Sequence, residues 1–190
     1  MIPDLGTTGW AVTTEDLVAT ALRGLAASRL ADGGMAFTLR GAPGPHGPQL
    51  VPEGRSLRYT AIAALGLGRQ PVDVQREVLG GSDAAALAVS CLLLAHDSAD
   101  PGAVALALWA AGEVAGATDT ALAAGLLDAV RRPGVATVDC AWAVIAGLAM
   151  PECETASDLA HEGADRLLAR QGPQGTFPHT LPRPGGLRGH

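Results

Sequence analysis

Residues Ser56–Leu67 have the sequence SLRYTAIAALGL, and residues Thr137–Leu148 have the sequence TVDCAWAVIAGL. Both stretches begin with a hydroxyl side chain that can cap a helix, continue with apolar residues at helical spacing and carry a glycine next to the end. Their starts are 81 residues apart, and a third helical stretch, from Asp100 to Gly112, lies between them. Two helical hairpins in this interval give a repeat unit of about 40 residues, the length of a helix-pair repeat.

Seven helices are predicted along the chain, because capping residues precede the apolar runs and glycine or proline follows most of them. The predicted helices run from Thr13 or Thr14 to about Leu30, from Ser56 to Pro71, from Ser82 to Leu94, from Asp100 to Gly112, from Thr118 to Pro133, from Thr137 to Pro151 and from Thr155 to about Arg170. A short further turn of helix is predicted over Val72–Leu79. No pair of strands is predicted. The expected fold is therefore a single all-α domain over residues 1–190, built from antiparallel helical hairpins.

Two segments lack a helical pattern. Residues 35–55 are rich in Gly and Pro and predict a long loop, and residues 172–190 predict an irregular tail. These segments contain His46, His179 and His190 without a carboxylate or a second histidine at ligand spacing. We therefore predict no metal site there.

The composition restricts the class of protein. Hydrophobic residues make up 48% of the chain and aromatic residues only 3%, so the core must consist of Ala, Leu and Val in close-packed helices. The net charge of -6 argues against binding to nucleic acid, which needs a basic surface. All 13 basic residues are Arg and none is Lys, which is typical of a bacterium with a GC-rich genome.

The cysteines and the first residues predict a cytoplasmic location. Cys91, Cys140 and Cys153 form no CxxC pair, which indicates reduced thiols, and Cys140 is expected to be a small core residue. The first ten residues lack the basic and apolar regions of a signal peptide. The longest nearly apolar run, Ala84–Ala95, is too short for a membrane span, so none is predicted.

One segment resembles a known family. Residues Leu167–Phe177, LLARQGPQGTF, resemble the QW-type repeat, Q-x-x-x-G-x-W, of squalene cyclases and protein prenyltransferase β-subunits, with Phe177 in place of the usual Trp. The resemblance implies a partial α/α toroid, in which the helices starting at Ser56, Asp100 and Thr137 are inner helices around a cavity. The chain supplies three hairpins and one further outer helix, fewer than a complete toroid. We therefore expect an N-terminal half.

The same resemblance also identifies what this chain lacks. Class II cyclases carry a D-x-D-D acid motif at the start of an inner helix, where this sequence retains only Asp139. Prenyltransferase β-subunits hold zinc with Asp, Cys and His, but Asp139-Cys140 does not have their spacing. Three Trp, one Tyr and two Phe are too few to line a carbocation cavity. We predict neither activity for the chain alone, and we predict no cofactor.

Side chains at the starts of the inner helices would face the mouth of the cavity. Asp139 is a candidate general base and Tyr59 a candidate proton donor. Arg58, Trp142 and Trp109 are candidates for substrate binding, with Arg58 as a fork for an anionic group. The alternative for Arg58 and Asp139, which occupy matching repeat positions, is that they pair with each other or with helix caps. The alternative for both tryptophans is packing in the core.

The expected function is that of a cavity-forming, toroid-like protein of cytosolic bacterial metabolism that is not catalytically complete alone, with an isoprenoid or a glycan as its substrate class. One alternative is a non-catalytic helical solenoid that binds a partner along a concave face. Another is a fragment of a six-hairpin glycan-processing enzyme with Asp139 and Glu113 as its carboxylates. The last helix is expected to expose Leu159, Leu167 and Leu168 at an open edge, which predicts self-association or a partner chain there.

Overall fold

A computed structural model describes the protein at residues 12–45 and 47–179. This part of the chain is mostly helical, with eight α-helices and a two-stranded antiparallel sheet. In chain order the elements are α1 (Thr14–Ser28), β1 (Ala36–Gly44), β2 (Gly47–Arg55), α2 (Leu57–Leu67), α3 (Val72–Leu79), α4 (Ala84–Ala95), α5 (Pro101–Ala110), α6 (Thr120–Arg131), α7 (Thr137–Leu148) and α8 (Glu154–Arg170). A π-helical turn, Ala111–Ala115, extends α5. The predicted tail is irregular up to residue 179, and its remainder, like His46 and His190, lies outside the described residues.

The prediction of a loop over residues 35–55 is wrong, and the fold is therefore not purely all-α. The strands β1 and β2 form a hairpin that pairs Leu39 with Pro52, Gly41 with Leu50 and Pro43 with Pro48. Prolines are tolerated because each strand of a two-stranded ribbon has a free edge, where a missing N–H breaks no ladder bond. Residues directly opposite each other share a face, so these six residues make one face apolar. The other face carries an ion pair between Arg40 and Glu53, 2.9 Å apart.

Most helices begin at or next to their predicted starts because short polar side chains cap them. Thr13 and Asp16 form a capping box at the predicted start of α1. The caps of α4 and α6 are Asp83 and Asp119, each one residue after the predicted start. The helix α8 begins at Glu154, next to its predicted start at Thr155, without a side-chain cap.

Three helices form a central row. In this row, α5 lies between α2 and α7 and contacts both. The helix α4 packs against α2 and α5, α6 packs against α5 and α8, and α8 packs against α7. Nearly every residue of α5 is buried, and most of these residues are Ala or Leu. By contrast, α1 has no buried residue and contacts α3 and the hairpin.

The exposed apolar edge differs from the predicted one. Leu159 of α8 is fully buried and Leu167 is half-buried against the core, so the prediction is wrong for both residues. Leu168 is 69% exposed, as predicted. The neighbouring helix α7 also exposes Ile145 and Leu148. The open apolar edge therefore lies mainly on α7.

Among the described residues, no single helix is both long and apolar enough to cross a membrane. The helices α3 and α4 meet the length and composition requirement only when taken together, and they are bent by 52° with respect to each other. Both contribute buried residues to the core of the protein.

Candidate functional site

The first turns of the three central-row helices meet at one arginine. Arg58 Nε donates a hydrogen bond of 2.6 Å to Asp100 Oδ2, and Nη2 donates one of 2.5 Å to Asp100 Oδ1. Nη2 also donates to Asp139 Oδ1 over 3.2 Å. Arg58 lies at the start of α2, Asp100 caps α5 and Asp139 lies in the first turn of α7. One guanidinium thus joins all three helices.

Two features of α5 allow Arg58 to lie close to both Asp100 and Asp139. Asp100 Oδ1 accepts a hydrogen bond of 3.1 Å from the backbone N–H of Gly102, so Asp100 is both a helix cap and an ion-pair partner. Gly102 has no side chain, and a Cβ at this position would overlap Asp139 Oδ1 and Arg58 Nη2. Any larger residue at position 102 would separate the arginine from the second carboxylate.

Trp142 completes the group, which we call the Arg58 cluster: Arg58, Asp100, Asp139 and Trp142. The Arg58 Cζ atom lies 4.9 Å from the centre of the Trp142 ring, within the range of a cation–π contact. Trp142 is one helical turn after Asp139 on α7, so both side chains reach the same guanidinium.

The charges in the cluster shift one another's ionisation. The hydrogen bond from Arg58 lowers the pKa of Asp100, and the same bond raises the pKa of Arg58. Burial raises the pKa of Asp139, and the attraction of Arg58 opposes this effect without cancelling it. Asp139 is 7% exposed. The cost of removing the Asp139 carboxylate from water is therefore larger than the stabilisation that it receives from Arg58, which it shares with Asp100.

These contacts bear on the two interpretations of Arg58, anion binding and pairing within the protein. An anion-binding fork needs its two parallel N–H groups to be free, but in this protein they face Asp100. The pairing of Arg58 with Asp139, the alternative from the repeat positions, is present. Asp139 is hydrogen bonded and nearly buried, which restricts the access that a general base needs.

The other two candidates lie apart from this group of contacts. Tyr59 is 48% exposed and stacks on Phe37 of β1, with ring centroids 5.9 Å apart and planes inclined by 19°. Trp109 of α5 is half-buried and packs against the core, as the core-packing alternative expects. The structure thus brings Arg58, Asp139 and Trp142 together and directs Tyr59 to the hairpin.

The sequence does not indicate Asp100 or Gly102 as part of a site. Asp100 predicts only the start of a helix. Its position at the N-terminal cap of α5 was the available signal, because Ser56 occupies the corresponding cap of α2. The role of Gly102 has no sequence signal beyond a glycine in a first helical turn, where it disfavours the helix.

Cys140 is a core residue, as expected. It is fully buried, and its Sγ atom lies 3.3 Å from Nη1 of Arg170, which is itself 4% exposed. Burial raises the pKa of the Cys140 thiol, although Arg170 acts in the opposite direction. A buried, protonated thiol is a poor nucleophile.

Glu113 does not face Asp139. It lies in the π-helical turn and accepts a hydrogen bond of 2.8 Å from Arg69. Gly102, which adjoins Asp139, precedes Glu113 by 11 residues. At the helical rise this separation is about 16 Å along α5, more than the distance between the carboxylates of a glycosidase.

Two apolar grooves flank the central row. One, of about 430 Å³, lies between α1 and α2 and is lined by residues that include Leu25, Met35 and Ile62. The other, of about 320 Å³, lies between α7 and α8 and is lined by residues that include Leu148 and Ala160. Both grooves lie outside the Arg58 cluster.

The described residues contain no group of three or more His, Cys, Asp and Glu side chains that could hold a metal ion. Comparison of the chain with protein-family models, curated proteins and solved structures finds no match.

Proposed function

We propose that this protein is an incomplete α/α toroid, similar in its repeat to terpenoid cyclases and prenyltransferase β-subunits. It supplies part of a cavity wall in bacterial cytosolic metabolism and needs a further unit to complete the cavity. The observation that supports this best is the contrast between the middle and the ends of the central row. Nearly all of α5 is buried, whereas Ile62 of α2 and Leu148 of α7 are 48% and 69% exposed.

The Arg58 cluster supports the second part of the proposal, that the chain is not a complete enzyme. Its arginine and its two carboxylates are engaged with one another. Protonation of an alkene needs a free acid that neighbouring carboxylates tune, and glycoside hydrolysis needs two facing carboxylates. The separation of about 16 Å between Gly102, which adjoins Asp139, and Glu113 disfavours the glycan-processing alternative. The cluster instead fits a structural role, in which it aligns three helices at one end.

A second candidate function, the non-catalytic interaction module, draws support from the hairpin. Phe37 and Leu50 are 65% and 64% exposed and lie on its apolar face. A hairpin with one exposed apolar face is marginally stable alone and gains stability from a partner that covers this face.

A labelled isoprenoid tests the cavity-wall proposal. Fluorescence polarisation of dansyl-labelled farnesol, titrated with the protein, is expected to rise. Trp142→Ala is expected to weaken binding roughly 10-fold through the loss of apolar contact area. Leu93→Ala, at an exposed position on α4, is the matched control and is expected to bind like the unaltered protein. Unchanged binding after Trp142→Ala, or competition by maltoheptaose, would contradict the proposal.

A further inference from the structure

The two ends of the central row expose different faces of one repeat. The alignment of Ser56–Leu67 with Thr137–Leu148 pairs Ala64 with Ile145, Leu67 with Leu148 and Ile62 with Ala143. These pairs allow burial to be compared at equivalent positions of the first and the last helix of the row.

The face that α2 buries is the face that α7 exposes. Leu67 is 0% exposed where α2 packs on α4 and α5, and its equivalent Leu148 is 69% exposed. Ala64 is also 0% exposed, whereas its equivalent Ile145 is 37% exposed. The missing neighbour of α7 is therefore a helix in the position that α5 occupies beside α2.

The reverse comparison holds at the other end. Ala143 is 0% exposed where α7 packs against α5 and α8, whereas its equivalent Ile62 is 48% exposed. On α7, the equivalent side packs against α5. The missing neighbour of α2 is therefore a helix on this exposed side. Each end of the row thus exposes the face that the other end buries.

We propose that a second copy of this chain covers both edges, with the α7 edge of each copy on the α2 edge of the other. The inference rests on the proposed function, since it names the unit that completes the cavity. A two-fold axis that relates two copies closes the ring, and both apolar edges are then buried in one dimer. The Arg58 cluster favours this dimer arrangement, because the hydrogen bond between Arg58 and Asp139 holds the first turns of α2 and α7 side by side.

The grooves on the two edges fit the same arrangement. The groove beside α2 and the groove beside α7 are both lined mainly by apolar side chains. Leu148 projects at one edge and lines its groove, while Ile62 lines the other. The packing of α5 on α7 is the contact that the dimer would repeat between copies.

Sedimentation equilibrium of the full chain, together with three variants, tests the proposal. The unaltered protein is expected to have twice the 19.1 kDa mass of one chain. Leu148→Glu and Ile62→Glu are each expected to weaken dimerisation by roughly 100-fold or more, because each buries an unpaired carboxylate at the interface. Leu93→Glu is the matched control: Leu93 is 71% exposed on α4, away from both edges, and this variant is expected to remain a dimer.

Mixing the two edge variants tests the head-to-tail arrangement. The Leu148→Glu chain retains an intact α2 edge and the Ile62→Glu chain retains an intact α7 edge, so the mixture is expected to form a heterodimer through one intact contact. Circular dichroism of each variant checks that the helices remain. If the unaltered chain is a monomer, the dimer proposal is overturned. The proposed cavity-wall function is then tested separately by the isoprenoid titration. A dimer that Leu148→Glu disrupts and Ile62→Glu does not would also overturn it, because that pattern indicates contact between two α7 edges.

Discussion

Arg58 and Asp139, which the sequence predicts to occupy equivalent positions of a helical repeat, are hydrogen bonded to each other over 3.2 Å. The helix that separates their own helices, α5, has a glycine where the two side chains meet. The residues that the sequence selects as candidates for chemistry at the cavity mouth thus connect the first and last helices of the central row.

Substitution of Gly102 by alanine tests this close approach. Gly102→Ala is expected to destabilise the protein by about 1–3 kcal/mol, because the new methyl group would displace Arg58 or Asp139. Gly125→Ala in α6 is the matched control. Apart from the chain neighbours and the backbone of α6 itself, no heavy atom lies within 4 Å of a Cβ at that position, and the variant is expected to gain about 0.5–1 kcal/mol from helix propensity. Urea unfolding of both variants measures the difference, and equal effects would contradict the observed packing.

The pH dependence of stability is expected to identify the two carboxylates separately. The pKa of Asp100 is lowered in the folded protein. Its stabilising contribution to the free energy of unfolding is therefore present above its unfolded pKa and is lost as pH falls through the folded value. The pKa of Asp139 is raised, so its contribution is present below its unfolded pKa and is lost as pH rises through the folded value.

Urea unfolding of Asp139→Asn across the acidic range measures this effect. Relative to the unaltered protein, the variant is expected to become more stable as pH rises through the folded pKa of Asp139. Asp100→Asn is expected to show the opposite trend. If the stability of both variants, relative to the unaltered protein, changes with pH in the same direction, the two carboxylates do not have pKa shifts of opposite sign.

Thiol reactivity is expected to follow burial. Burial raises the pKa of Cys91 to about 12 and also raises that of Cys140, whereas Cys153 is only half-buried. Titration of the native protein with a disulfide reagent at neutral pH is expected to modify Cys153 first, and the other two thiols only after denaturant is added. Rapid modification of a Cys153→Ser variant would contradict this order.

The sequence predicts the helices well where polar caps and apolar periodicity agree. The start of α1, the short helix α3 and the contact between Arg58 and Asp139 are confirmed. The hairpin was missed because seven of the eighteen residues in its two strands are glycine or proline, which ordinarily indicate a loop. The buried position of Leu159 was missed because it depends on how α8 packs against its neighbours, which periodicity alone does not fix.

The apolar face of the hairpin is expected to bind hydrophobic dyes. Leu50→Ser is expected to lower the fluorescence of bound anilinonaphthalene sulfonate with little loss of stability, because Leu50 is 64% exposed. Val89→Ser, at an exposed position on α4, is the comparison variant and is expected to have a smaller effect. Equal losses of fluorescence would indicate that the dye binds elsewhere.

The central claim is that the Arg58 cluster holds the helices of the central row together. A double-mutant cycle of Arg58→Met and Asp139→Asn, measured by urea unfolding, tests it most directly. The claim predicts a coupling energy of about 1–2 kcal/mol, since the pair is partly buried and Arg58 is shared with Asp100. A coupling energy near zero would contradict it.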